Sequence, residues 1–293
     1  MGAFIGVVLH AVGGFAAGSF YIPIKKVKDW SWESSWLVLG ASAWLIVPII
    51  IGTITIPDLW KVIGDTSSST IFWTYFFGVL WGVGGLTFGL SMRYLGISLG
   101  MAIALGFCAA FGTLIPPIYN GTFGDLFANR AGWITFLGVM VCLVGIGVCG
   151  KAGMMKDKEL DADDQQATVE EFNLGKGLVV ALISGILSAC FAFALEAGGE
   201  ISENSLIAGA DSLYQNNASL VIILLGGLTS NLIYCVVLNV RNKSYTNYTD
   251  GSKSLPGNYF WASLGGLTWY LQFFFYGMGS TLLGEKFDFA SWT

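Results

Sequence analysis

Long runs without a charged side chain constrain this chain more than any other feature. A helix needs roughly 20 mainly apolar residues to cross a bilayer core about 30 Å thick. The sequence contains eight such uncharged runs, which predict an all-α integral membrane protein with eight full spans. The runs cover residues 3–24, 36–56, 71–92, 97–118, 133–150, 177–195, 218–240 and 259–283.

The composition supports this interpretation and excludes other classes of protein. Of the 293 residues, 54% are hydrophobic and 11% are charged, whereas soluble domains carry about 25% charged residues. A net charge of −5 offers no basic surface for nucleic acid. We find no nucleophile–base pair, phosphate loop or metal-ligand spacing, and the cysteines lie inside apolar runs. We therefore expect no enzyme activity and no cofactor; the bilayer is the expected surrounding.

The Lys and Arg residues predict the orientation. Eleven of the 14 lie in the loops after spans one, three, five and seven. Because basic loops stay in the cytoplasm, the N-terminus is expected outside. Aromatic residues near span ends are interpreted as interfacial anchors. They are Trp30, Trp32, Trp36, Trp60, Trp133, Tyr259 and Trp261.

An internal repeat is indicated on either side of an acidic cytoplasmic linker, residues 151–176. Spans six and eight match spans one and three at offsets of 171 and 184 residues, and the matches keep their order. Residues 1–150 would form one unit of five spans. Because five is an odd number, the second copy, 177–293, would have the opposite orientation in the membrane, as in the inverted repeats of secondary transporters. That copy has spans six to eight and the start of a ninth at 288–292. We expect a truncated product, or else an eight-span variant.

Several strings then resemble one family, the bacterial L-rhamnose–proton symporters of the drug/metabolite transporter superfamily. They are FYIPIKKVKDWSWE at 20–33, GLSMRYLG at 89–96, EFNLGKG at 171–177, LGGLTWYLQFFFY at 264–276 and DFASW at 288–292. The resemblance implies ten helices, sugar uptake, proton coupling and the bacterial inner membrane. The chain departs from the family pattern in two ways. Spans nine and ten are absent, and Glu196 stands where members of the family carry an amide.

The ionisable residues inside the spans limit the cargo. His10, the only histidine, is the one clear case, and Glu196 lies at the very end of span six. No Lys or Arg lies in a span interior, which disfavours phosphate or nucleotide-sugar cargo. A cationic-drug exporter would be expected to carry a carboxylate deep in the first helix. Residues 3–24 contain none, which disfavours that class. A neutral polar cargo fits best.

Helical spacing predicts the walls of a sugar site. On span eight, Trp269, Gln272 and Tyr276 share one face, which offers flat rings for C–H faces and polar groups for hydroxyls. The repeat offset adds Trp81 and Phe88 on span three. On span one, His10, Gly14, Ala17 and Tyr21 form a similar stripe. The predicted binding residues are Tyr21, Trp81, Phe88, Trp269, Gln272 and Tyr276.

Proton coupling is assigned to His10, because an imidazole with a pKa near 6.5 titrates where a proton gradient acts. Asp288, at the entrance of the ninth span, is the second candidate. The leading hypothesis is proton-coupled uptake of a deoxy-sugar by alternating access, with L-rhamnose resting on the resemblance. A metabolite exporter of the same superfamily and a non-transporting scaffold or sensor stay open. The oligomeric state and the choice among deoxy-sugars are left open.

Four of these residues also have a simpler explanation. His10 could be a neutral imidazole bonded to a backbone carbonyl, and Trp81 and Phe88 could fill space between helices or against lipid. Gln272 could join helices by hydrogen bonds, a role we prefer for Asn231.

Two further features have structural explanations only. Glycine pairs such as 265–266 indicate close helix approach. Glu33 is interpreted as a charge that meets the dipole of the helix beginning there.

Overall fold

The structure is a computed structural model that describes residues 2–128, 130–159 and 173–284. These residues form helices without strands, which confirms the all-α prediction. The α-helices are α1 Gly2–Ser19, α2 Tyr21–Ile24, α3 Trp32–Ala41, α4 Val47–Thr55, α5 Leu59–Gly64, α6 Ser68–Leu95, α7 Ile97–Tyr119, α8 Arg130–Glu159, α9 Leu174–Ser188, α10 Cys190–Ala197, α11 Gly199–Ile207, α12 Asn217–Asn242 and α13 Leu255–Leu283. A π-helical segment, Ser42–Ile46, joins α3 to α4, and three short 3-10 turns are Phe123–Phe127, Ser212–Tyr214 and Ser244–Tyr248.

Seven helical stretches of the described residues are long and apolar enough to cross a membrane. They are Gly2–Ile24, Trp32–Thr55, Ser68–Leu95, Ile97–Tyr119, Arg130–Ala152, Leu174–Ala197 and Ser212–Asn242. These stretches match seven of the eight expected spans. The eighth run forms α13, an uncharged helix of 29 residues. It falls short in hydropathy because its Trp, Tyr, Gly and polar residues dilute the aliphatic ones.

The structure covers only part of the expected linker. Helix α8 continues to Glu159, so that helix occupies the first residues of the segment predicted as a flexible connection. Most of the acidic stretch and the start of the ninth span at 288–292 lie outside the described residues.

The described chain forms two compact units: residues 2–82 with 193–284, and residues 83–192. In the first unit, α1 packs along α13, and the second span packs against α12 and α13. In the second unit, α7 packs against α8 and α9. These units are defined by packing and do not coincide with the predicted halves, so the repeat stays a prediction.

A proline explains the π-helical segment in the second span. Pro48 has no backbone N–H, and its ring would clash with the carbonyl four residues earlier, at Trp44. The wider turn lets the Val47 N–H donate to Ser42 O instead. Trp44 therefore lies on a π-bulge, a feature that often accompanies functional sites.

Close helix approach at the predicted glycines is confirmed. A Cβ at Gly265 would lie 3.0 Å from the Phe20 carbonyl oxygen. A Cβ at Gly266 would meet the Leu39 carbonyl oxygen and would lie 2.7 Å from Ser42 Cβ. Small residues therefore let the backbones of the first, second and last helices pack tightly.

Asn231 joins three helices, as predicted. Its Oδ1 accepts a hydrogen bond from Trp36 Nε1 at 2.9 Å. Its Nδ2 donates to Gly82 O and Gly227 O, both at 2.8 Å. The buried amide thus has partners on α3, α6 and its own helix α12, which satisfies its hydrogen-bonding capacity without a ligand.

The anchor interpretation is wrong for three of the aromatic residues. Trp30, Trp32 and Trp36 are buried, with 9%, 7% and 1% of their surface exposed. Trp60 and Trp133 are exposed, as interfacial anchors should be. The second span therefore turns its tryptophans toward the protein interior.

Candidate functional site

An aromatic cluster lies in the interior of the first unit, with Trp269 at its centre. The Trp269 ring stacks on Phe20 with centroids 4.4 Å apart. Trp36 and Trp44 approach Trp269 at 5.4 and 5.1 Å from the second span. Trp81 reaches the cluster through Trp44, at 6.3 Å. The aromatic cluster comprises Phe20, Tyr21, Trp36, Trp44, Trp81, Trp269 and Phe273.

Three of the six predicted binding residues thus belong to one group. Tyr21 contacts Trp36 at 6.5 Å, Trp269 is central, and Trp81 packs on both Trp44 and Phe273. All three are buried. Because rings in tilted and edge-to-face contact fill space efficiently, part of this arrangement is ordinary core packing.

Trp36 and Trp44 belong to the cluster although the sequence analysis did not select them. Trp36 was interpreted as an interfacial anchor because it lies near the start of a span. Their separation of eight residues, with Trp32 four residues before Trp36, was the available signal, since such spacing places side chains on one helical face. The rings of Trp32 and Trp36 do stack, at 5.0 Å.

The polar atoms of the cluster differ in their partners. The Trp36 indole N–H donates to Asn231. The Trp44 Nε1 atom is buried and has no hydrogen-bond acceptor among the described residues. A buried donor without an acceptor is uncommon and calls for an explanation such as an unplaced water or a ligand.

A second contact joins two of the predicted site residues, His10 and Tyr276. Their rings stack with centroids 5.2 Å apart and planes inclined by 17°. The glycines around them make this possible: a Cβ at Gly13 would lie 2.5 Å from the Tyr276 ring, and one at Gly279 would meet His10 Nδ1. Helices α1 and α13 therefore approach closely enough for a half-buried imidazole to face a phenol.

The hydrogen bond of His10 matches the simpler explanation considered for it. The ring Nδ1 lies 2.8 Å from Gly6 O, one turn earlier on the same helix. Since a carbonyl oxygen can only accept, Nδ1 carries the proton in the neutral ring and Nε2 is the atom that gains one on ionisation. The bond therefore fixes the tautomer of the neutral ring.

The other predicted residues are placed differently. Gln272 is half-buried on α13, with its backbone carbonyl oxygen 3.2 Å from the position of a Cβ at Gly13. Phe88 is buried in the second unit. Glu196 is exposed at the end of α10. Asp288 lies outside the described residues.

The site residues carry no fixed charge. All members of the aromatic cluster are neutral, and no group of three His, Cys, Asp or Glu side chains within the described residues could hold a metal. The free cysteines are dispersed, and Cys235 is fully buried. Such a lining offers flat apolar surfaces with few polar groups, which suits a small uncharged ligand.

Comparison with known proteins identifies the family. Residues 2–293 match the model of the L-rhamnose-proton symport protein (RhaT) family. The chain belongs to this family. Three relatives named L-rhamnose-proton symporter are 40%, 39% and 40% identical; they come from Enterobacter sp. (strain 638), Cronobacter sakazakii and Shigella sonnei. Each alignment covers 98% of this chain and 83% of the relative. No solved structure matches the chain.

Membership agrees with the apolar helices. The chain is a multi-pass membrane protein, and the resemblance drawn from the sequence strings is confirmed. The match covers all of the described helices, so the aromatic cluster and the His10–Tyr276 contact lie within the part shared with the family.

Proposed function

We propose that this chain takes up a neutral deoxy-sugar, L-rhamnose, together with a proton. The match of residues 2–293 to the rhamnose–proton symport family carries this proposal. The proteins 39% to 40% identical to this chain are named for the same cargo and the same coupling ion. The uncharged aromatic cluster suits such a cargo, because a deoxy-sugar presents C–H faces and hydroxyls but no charge.

The proposed binding site is built around Trp269. In this arrangement the indole of Trp269 receives the C–H face of the sugar, and the buried N–H of Trp44 donates to a sugar hydroxyl. Gln272 and Tyr276 supply further polar contacts one and two turns along the same helix. The stacking of Phe20 on Trp269 at 4.4 Å leaves no room between these rings. Sugar entry therefore requires them to separate, as alternating access allows.

His10 is the proposed proton carrier. Its Nε2 accepts the proton, because Nδ1 already donates to Gly6 O. Contact with Tyr276 links this event to the helix that carries Trp269 and Gln272. Coupling requires that the protonated outward-facing state bind the sugar better than the other states do. Asp288 stays the second candidate for this role.

The proposed setting is the bacterial inner membrane, with the N-terminus outside and two inverted repeats. The Lys and Arg distribution supports the orientation. The offsets of 171 and 184 residues between matching spans support the repeat.

Uptake by proteoliposomes containing the 293-residue chain tests this function. An inward proton gradient is expected to drive accumulation of labelled L-rhamnose, and a protonophore is expected to stop it. Efflux from loaded vesicles driven by an opposite gradient, without uptake, would instead support an exporter. Absence of flux for every neutral sugar would support a scaffold or sensor. The names of the relatives favour the symporter over both.

A further inference from the structure

Two tryptophans at the start of the second span carry buried indole N–H groups without an acceptor. They are Trp30 and Trp32, with 9% and 7% of their surface exposed. Neither Nε1 atom has a hydrogen-bond partner among the described residues, and both are buried from solvent. Because a buried tryptophan usually finds an acceptor for its N–H, two such donors so close in the chain call for an explanation.

Both rings lie in aromatic surroundings. Trp30 meets Tyr248 and Tyr259 edge to face, with ring centroids 5.8 and 5.0 Å apart. Trp32 stacks on Trp36 with centroids 5.0 Å apart. We call Trp30, Trp32, Tyr248 and Tyr259 the entrance group. Its rings come from the start of the second span, from the 3-10 turn after α12 and from α13.

Polar side chains are present at this end of the span, but they bond to one another. Glu33 has 2% of its surface exposed, and its Oε1 accepts from Asn242 Nδ2 at 3.0 Å and from Ser244 Oγ at 2.7 Å. Ser34 Oγ donates to Asn239 Oδ1 at 2.9 Å. Such a network is stable because its members satisfy one another. The two indole N–H groups stay outside it, so their acceptor has to come from elsewhere.

The entrance group continues the aromatic cluster. Trp36, on which Trp32 stacks, also lies 5.4 Å from Trp269. Rings therefore follow one another from the centre of the first unit to the start of the second span. Trp44, at the centre, is likewise a buried donor without an acceptor among the described residues. Both positions combine flat rings with unused donors, which is the composition of a site for a small neutral ligand.

We propose that the entrance group is a second binding position for the neutral sugar, in which the N–H groups of Trp30 and Trp32 donate to sugar hydroxyls. The inference rests on the proposed function. A hydroxyl supplies the acceptor that the polar network does not, and the rings receive C–H faces of the sugar. In the proposed orientation this position is cytoplasmic, so the sugar reaches it after leaving the aromatic cluster and before release. Because both donors are buried, binding there requires this end to open.

NMR of the indole N–H groups tests this position directly. The full chain, with ¹⁵N in its 11 tryptophans and held in lipid nanodiscs, is titrated with L-rhamnose. Trp30→Phe, Trp32→Phe and Trp44→Phe each keep a ring and assign one signal by its loss. The Trp30 and Trp32 signals should move downfield as sugar hydroxyls accept their protons. Trp261 is the control, because it lies near the start of α13 with its ring 4.2 Å from Lys26 Nζ; its signal, assigned with Trp261→Phe, should stay in place.

A second titration separates this position from the aromatic cluster. Trp269→Ala removes the central ring, so the midpoint for the Trp44 signal should rise about tenfold or more. The midpoints for Trp30 and Trp32 should keep their wild-type values. Where the Phe variants do not fold, the same comparison needs no assignment, because at least two indole signals should keep their midpoints in Trp269→Ala while another moves.

Two results would overturn the inference. Unmoved Trp30 and Trp32 signals in a protein that takes up L-rhamnose would mean that the two donors serve water or packing alone. Midpoints that rise in parallel with that of Trp44 in Trp269→Ala would mean that both tryptophans only report binding at the aromatic cluster. No response of any indole, together with no uptake of L-rhamnose, would instead overturn the proposed function, and the inference with it.

Discussion

The rings of His10 and Tyr276 stack 5.2 Å apart, across the contact between the first and the last described helices. One is the only histidine of the chain, and the other shares a helix with Trp269 and Gln272. A change of charge on the imidazole would act directly on the helix that carries most of the proposed sugar contacts. This contact is the structural basis for coupling in the present account.

Replacing His10 should separate sugar movement from proton movement. In His10→Ala, addition of L-rhamnose should no longer cause proton entry, whereas exchange of labelled for unlabelled sugar should continue at a reduced rate. The measurement is the pH of a lightly buffered medium. Val12→Ala, at an exposed position of the same helix, serves as the control. An unchanged alkalinisation in His10→Ala would remove His10 from the coupling mechanism.

Truncation of Trp269 should weaken sugar binding. Loss of the indole removes the central ring of the aromatic cluster, so the half-saturating rhamnose concentration should rise at least tenfold, equivalent to about 1.4 kcal/mol. Gln272→Ala should act in the same direction through a lost polar contact. Trp60→Ala, at a tryptophan that is 60% exposed, should leave uptake kinetics unchanged. Wild-type affinity in both site variants would exclude the last helix from the site.

A methyl group at Gly13 should disturb the packing of α1 on α13. The new Cβ would lie 2.5 Å from the Tyr276 ring, so Gly13→Ala should destabilise the protein by about 1–3 kcal/mol. The melting temperature in detergent and the rate of uptake should both fall. At Gly18, on the same helix, nothing lies within 4 Å of a Cβ, and Gly18→Ala should be neutral or slightly stabilising. Equal melting temperatures for the two variants would contradict the close approach.

The Glu200 carboxylate should make stability depend on acid pH. Hydrogen bonds from Ser67 and Thr70 lower the pKa of Glu200, and its Oε1 also accepts the Ser67 backbone N–H at the start of α6. A lowered pKa means that this stabilisation is present above the ordinary glutamate value of 4.5 and is lost as the pH falls below it. Melting temperatures of wild type and Glu200→Gln, compared at neutral pH and near pH 4, test this. The difference should be larger at neutral pH, and a constant difference would contradict the assignment.

The helices could be predicted from the sequence because uncharged runs of the right length leave few alternatives. The last run shows the boundary of that argument. The helix it forms, α13, packs extensively along α1, and the Trp, Tyr and Gly residues of α13 lower its mean hydropathy. A membrane helix that is rich in Trp, Tyr, Gly and polar residues is therefore the hardest one to recognise from its hydropathy.

The site was only partly predictable. Facing stripes indicated Tyr21, Trp81 and Trp269, because helical spacing is a local property. The partners of Glu33, in contrast, lie 209 and 211 residues away along the chain. Periodicity in one helix carries no information about such pairs. The carboxylate was therefore interpreted as a local helix charge, and its enclosure became visible only in the structure.

Sugar-induced proton movement tests the central claim most directly. Cells that produce this chain are suspended in weakly buffered medium without an energy source, and a panel of sugars is added while the external pH is recorded. The account predicts prompt alkalinisation with L-rhamnose, abolished by a protonophore, and no response to a sugar phosphate. Alkalinisation by the sugar phosphate, with no response to L-rhamnose or another neutral deoxy-sugar, would contradict it.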